Sequence, residues 1–216
     1  SYPLMDSTSY EKFLLLKEYH FSSQNPSDIN EHLHHLRRLA KDCDSVVEIG
    51  LRTMVSTRGI LLGLAESSKE NPRYVGIDLE HPPHEIFDLI SFLAKKNGIE
   101  FTFLQKNDLT ISQIEPVDML FIDSLHTYAH LTYELETFSS YVNKYIAMHD
   151  TAHPFAFNDC QFYRGDYSEY PSFVDRNKRG TWPAVWDFLM NHPEWKLEEC
   201  YFNSFGFTVL KRISKE

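Results

Sequence analysis

The longest apolar runs in this chain, Phe13 to Leu16 and Ile60 to Leu64, are far too short to cross a bilayer. Nor does an apolar signal-like core lie near the first residues, so the cytoplasm is the expected location and no membrane partner is expected. Basic residues are in short supply: 21 Lys and Arg face 31 Asp and Glu, a net charge of −10. That sign repels a phosphate backbone, which argues against nucleic acid as a partner. Cysteine is scarce too. Cys43, Cys160 and Cys200 cannot all pair, and they show neither a disulfide framework nor a CxxC knuckle, so reduced thiols are expected. No G-x-G-x-x-G follows a strand-like run, which speaks against a dinucleotide whose pyrophosphate needs close backbone approach. Internal repeats and low-complexity segments are absent as well.

What is present is enough for one core. The 216 residues are 42% hydrophobic and 14% aromatic, the composition of a globular domain that folds without a partner. A single domain over 1–216 is expected, with N-terminal helices in 1–44. Asp28 and Glu31 resemble a capping box ahead of Ile29, Leu33, Leu36 and Ala40 at helical spacing. His32, His34 and His35 on that helix are expected to be solvated.

From Ser45 the pattern alternates. Ser45 to Gly50 reads as a strand, Ser56-Thr57 as the start of a helix through Ile60 to Leu62, and Arg73 to Asp78 as a second strand. Ile86, Leu89, Ile90 and Leu93 mark a helix, and Glu100 to Leu104 and Val117 to Ile122 two more strands. Tyr128, Leu131, Leu135, Phe138 and Val142 form a helical stripe before a fifth strand over 144–148. Thr181 is expected to cap a helix running to His192, and strands over 195–201 and 205–210 to close the chain as an antiparallel hairpin. The fold class is therefore α/β: a doubly wound, mostly parallel seven-stranded sheet with an antiparallel C-terminal hairpin. The stretch 151–180 lacks periodicity and is rich in Tyr, Phe, Asp, Asn and Pro, which suits an active-site lid. Trp182, Trp186 and Trp195 are assigned to core or lid packing.

In such a sheet a ligand sits at the carboxyl ends of the strands. Glu48 and Gly50 end the first strand where a nucleoside can approach. Asp78 ends the second, where an acid can accept from ribose hydroxyls, and Asn107-Asp108 after the third suit an adenine edge. Ser56 and Thr57 would offer hydroxyls to a ligand carboxylate or to the helix N-terminus. Asp123 and His126 follow the fourth strand, and His149 and Asp150 end the fifth, a cluster suited to a divalent cation. His126, His149 and His153 are the candidate proton acceptors.

Glu48-Ile49-Gly50, Asp78 and Val117 to Asp123 together resemble the motifs of class I S-adenosylmethionine-dependent methyltransferases. The branch is that of small-molecule O-methyltransferases, including macrolide O-methyltransferase-like and cephalosporin-hydroxylase-like proteins, and the likeness runs from about Ser45 to Arg212. It implies a Rossmann-like fold, S-adenosylmethionine as cofactor with Asp123 also near it, and a small-molecule hydroxyl as methyl acceptor. It also implies a divalent metal on Asp123, His149 and Asp150. The ion expected is magnesium or manganese, with iron or zinc as alternatives, because the family usually has an acid where this chain has His149 and an imidazole there either draws the preference toward manganese, iron or zinc or leaves His149 as a structural or acid/base residue. The family's first motif carries a further glycine near the positions held here by Met54 and Val55. Two other readings use the same residues: an iron-dependent hydroxylase-like enzyme, and a non-catalytic methyltransferase-like binding protein. The aromatic first segment, Tyr10, Phe13, Leu14 and Tyr19, would pack over the site or against a second copy.

Overall fold

The computed structural model describes residues 7–214; the outermost parts of the expected domain, 1–6 and 215–216, lie outside the described residues. Two compact units divide the chain after Lys106.

The first unit begins with α1 (Ser7–Gln24) and α2 (Leu33–Lys41), followed by β1 (Ser45–Ile49), α3 (Val55–Glu66), β2 (Arg73–Asp78), α4 (His84–Lys96) and β3 (Glu100–Gln105). The strands are parallel in the order β3-β2-β1, with Ile49 opposite Ile77 and Asp78 opposite Gln105. All five residues of β1 are buried, as a parallel strand covered on both faces requires. The start of the second helix differs from the sequence expectation. Ser27 Oγ accepts from the N–H groups of Ile29 and Asn30, while Asp28 pairs with Arg52. A short 3₁₀ turn over Asn30–His32 then precedes α2 and rotates His32 and His35 into the interior, leaving only His34 exposed.

The second unit holds β4 (Val117–Ile122), α5 (Tyr128–Phe138), β5 (Val142–His149), α6 (Thr181–Asn191), β6 (Trp195–Tyr201) and β7 (Phe207–Arg212). β4 and β5 are parallel, β7 runs antiparallel to β5, and β6 antiparallel to β7, in the order β4-β5-β7-β6. The expected hairpin is present, with its second strand rather than its first beside β5. Residues 151–180 form turns without a helix or strand. Asp159 stitches them: its Oδ1 accepts from Tyr128 N at 3.0 Å and Gly180 N at 2.9 Å, and its Oδ2 from the Tyr167 hydroxyl. Thr181 does not cap α6, because its hydroxyl donates to Asp150 O at 2.7 Å. Trp195 is buried as expected, but Trp186 faces solvent at 56% exposure.

Seven strands, parallel except at β7 and flanked by helices, make this the Rossmann-like methyltransferase fold. No helix among the described residues is long and apolar enough to cross a membrane.

Candidate functional site

In the first unit, the chain leaves β1 through three left-handed residues: Gly50 at φ 90°, Arg52 at 45° and Met54 at 62°. Gly50 takes that conformation without a Cβ clash, and its N–H donates to Ile77 O at 2.8 Å. Met54 holds it while wholly buried, near the place where the resembling family has glycine. Left-handed backbone costs a residue with a side chain about 1–2 kcal/mol, so packing of Met54 must offset strain here. Asp78 secures the turn. Its Oδ2 accepts from Leu51 N at 2.7 Å and Arg52 N at 3.2 Å, and its Oδ1 from Glu80 N at 3.2 Å.

Glu48 lies behind this turn rather than on its surface. It is fully buried and accepts hydrogen bonds from Ser56 Oγ, Thr57 Oγ1 and Tyr74 Oη, each at 2.5 Å. The hydroxyls expected to face a ligand carboxylate therefore turn inward, since a buried carboxylate without donors is costly. Burial and the Glu48 carboxylate push the Tyr74 phenol well above its usual range. Asn107 and Asp108 also find partners in their own unit: Asn107 Oδ1 accepts from Leu109 N, and buried Asp108 lies 2.9 Å from His130 Nε2. A surface hollow of about 470 Å³ lined by Ser45, Arg73 and Glu100 opens at the starting ends of β1–β3, the opposite ends from Gly50 and Asp78.

In the second unit, parallel pairing sets Ile122 opposite Met148, which brings Asp123 and the pair His149-Asp150 to neighbouring strand ends. His126 Nδ1 lies 3.0 Å from Asp150 Oδ2. His149 Nδ1 lies 3.2 Å from Asp123 Oδ1 and 3.3 Å from Asp150 Oδ2, and its Nε2 lies 2.8 Å from Ser204 O. A carbonyl oxygen only accepts, so Nε2 carries a proton. Nδ1 faces the Asp123 and Asp150 carboxylates, which favour the positively charged imidazole. Burial opposes this charge, but Asp123 and then Asp150 outweigh it and raise the imidazole pKa well above its usual value. For Asp150, burial would act upward, yet hydrogen bonds from His126 and His149 hold the carboxyl well below the ordinary range. Asp123 goes the other way: burial pushes it up, with His149 opposing and Asp150 adding. His126 is raised despite burial, by Asp150 and then Asp123. A small cavity of about 10 Å³ lies among Ser124, His126, Glu134 and His149.

Four of the expected residues thus converge, and His153 does not join them. It is exposed, precedes a cis Pro154 and takes no part in this network. Ser204, Tyr74, His130 and Glu134 were not foreseen. Ser204 contributes only a backbone carbonyl, which every residue has. It reaches His149 because Gly206, at φ 95°, packs so closely that a Cβ there would come within 2.4 Å of Ala152 N.

No family model matches the chain, and no curated protein does. Solved structures do. The O-methyltransferase TomG from Streptomyces achromogenes, involved in tomaymycin synthesis and solved in complex with SAM, superposes with a TM-score of 0.55 at 14% identity, over 98% of this chain and 92% of its own. A putative O-methyltransferase from Klebsiella pneumoniae gives 0.54 at 15%, covering 98% and 92%. The O-methyltransferase from Bacillus cereus in complex with SAH gives 0.52 at 16%, covering 97% and 92%. The shared feature is the fold, over nearly the full length of each chain.

Proposed function

We propose that this protein is an S-adenosylmethionine-dependent O-methyltransferase acting on a hydroxyl of a small molecule, with a divalent cation held by Asp123, His149 and Asp150. The observation that carries this reading is the convergence of those residues and His126 at the ends of β4 and β5. The fold adds support, since solved proteins that share it include O-methyltransferases with SAM or SAH bound. On this reading the Gly50 turn and Asp78 take the nucleoside, Asp78 Oδ1 having only one long backbone contact and so room to accept from ribose hydroxyls.

The donor set fits a cation. His149 Nδ1 lies 3.2 Å from Asp123 Oδ1 and 3.3 Å from Asp150 Oδ2, one donor atom from each of Asp123, His126 and Asp150 falls within 4.8 Å of the others, and the Nε2–H of His149 on Ser204 O is the kind of outer bond that fixes the ring of a metal-bound histidine. With an imidazole among its ligands the site suits manganese, iron or zinc better than magnesium. Such an ion supplies Lewis acidity toward the acceptor oxygen. His126 serves as base: Asp150 accepts from its Nδ1–H, which leaves the Nε2 lone pair to take the hydroxyl proton. S-adenosylmethionine, when bound, would supply the methyl group, and His126 would hold the proton that the acceptor hydroxyl gives up.

Calorimetric titration with S-adenosylmethionine, followed by mass detection of methylated product over a panel of hydroxylated small molecules with and without chelator, tests the proposal. Cofactor binding and chelator-sensitive product are expected. A folded protein that binds neither S-adenosylmethionine nor S-adenosylhomocysteine would overturn it.

A further inference from the structure

A second cluster in the same unit is left unused by that chemistry. His130 and Glu134 sit one helical turn apart on the buried face of α5, and Asp108 reaches them from the 3₁₀ turn before β4. His130 Nε2 lies 2.9 Å from Asp108 Oδ1 and 3.8 Å from Glu134 Oε2. One donor atom from each of the three falls within 4.8 Å of the others. All three are buried, with Glu134 at 0% exposure.

Two features point to a missing positive charge. Glu134 Oε2 accepts from Ser124 Oγ, but its Oε1 is buried with no hydrogen-bond partner, which is costly for a carboxylate. The outer bonds, meanwhile, are those of a ligand set. Tyr170 Oη sits 2.9 Å from His130 Nδ1 and can fix the ring with Nε2 turned toward the acids, as the second nitrogen of a metal-bound histidine is normally fixed. The distances of His130 Nε2 from Asp108 Oδ1, 2.9 Å, and from Glu134 Oε2, 3.8 Å, fall in the range that an ion with bonds of about 2.0–2.1 Å spans at angles of roughly 90–135°.

We propose that Asp108, His130 and Glu134 form a second, buried divalent-cation site of zinc type, separate from the residues assigned to methyl transfer. One imidazole and two carboxylates suit zinc better than magnesium or calcium, which favour all-oxygen shells. The site's place under α5 gives the ion a structural role, tying the helix to the loop that carries Asp108.

The test is independent of methyl transfer. The double variant Asp123→Asn, Asp150→Asn removes the first cluster's carboxylates, and zinc titration of that protein reads the second cluster alone. Binding of one zinc per chain is expected, weakened at least about tenfold when Glu134→Gln is added. Zinc-soaked crystals of the unaltered protein, examined at the zinc absorption edge, give a reading that needs no variant to fold. An anomalous peak among Asp108, His130 and Glu134 supports the site. Absence of that peak, or zinc affinity that Glu134→Gln leaves unchanged, overturns it and leaves the three residues as a hydrogen-bonded support for α5.

Discussion

The backbone N–H of Leu51 donates to Asp78 Oδ2 at 2.7 Å, so the acid expected at a cofactor ribose also anchors the turn that follows β1. The two duties separate experimentally. Asp78→Ala is expected to weaken S-adenosylmethionine binding by roughly 1.5–3 kcal/mol, the scale of a hydrogen bond to a charged group. Contrary to what a crevice position alone suggests, it should also lower the melting temperature, because the N–H groups of Leu51, Arg52 and Glu80 lose their acceptor. Titration calorimetry reads the first effect and thermal melting the second. A normal melt with weakened binding would mean that water replaces the carboxylate in the turn.

Tyr74→Phe removes one of three hydroxyl donors from buried Glu48. The cost should be about 1–3 kcal/mol in urea unfolding, since the carboxylate keeps Ser56 and Thr57 but loses a partner it cannot replace with water. A change below 0.5 kcal/mol, on the order of an exposed substitution, would show that this network contributes little.

Asp123→Asn and Asp150→Asn are each expected to remove the divalent ion from the first cluster and to abolish chelator-sensitive methyl transfer, with S-adenosylmethionine binding largely kept. Metal analysis after dialysis and cofactor titration give the two readings separately. Full activity in either variant would assign that acid to structure.

Acid sensitivity has a further source in the first unit. Arg37 forks onto Glu66 with contacts of 2.7 and 2.8 Å, and this bond, ahead of the opposing burial, lowers the Glu66 pKa. A depressed carboxyl stabilises the fold above its unfolded pKa, roughly 4.3, and that contribution fades as pH falls through the lower folded value. Both side chains remain partly exposed, so the contribution should be about 0.5–1 kcal/mol. Urea melts from pH 7 to pH 3 should show a shallower acid loss for Glu66→Gln than for the unaltered chain. Parallel curves would remove the pair as a cause.

The elements were readable where periodicity is local. The alternation of β-branched strands with amphipathic stripes located β1 to β5 and α3 to α5, but the stripe carried to Val142 overran its helix, which ends at Phe138, and Val142 begins β5; the strand-end rule located Asp78, Asp123 and Asp150. What escaped was set by tertiary packing. His32 and His35 look solvated by composition but are turned inward by the 3₁₀ entry to α2. Ser56 and Thr57 look like ligand hydroxyls until Glu48 is seen to need donors. Asp108 meets His130 across 22 positions, a pairing no local pattern encodes.

Ser204 lies 55 positions after the histidine whose ring it orients, on the turn between β6 and β7. During synthesis Asp123, His126, His149 and Asp150 therefore emerge well before the carbonyl that fixes the tautomer of His149. β7 must also add to β5 before that carbonyl is in place. A nascent chain that has emerged only as far as α6 carries the acids and imidazoles without the carbonyl that accepts from His149 Nε2. The ring of His149 is thus held by a residue from the far side of the β5–β7 pairing, so its orientation depends on the closing strands being in place.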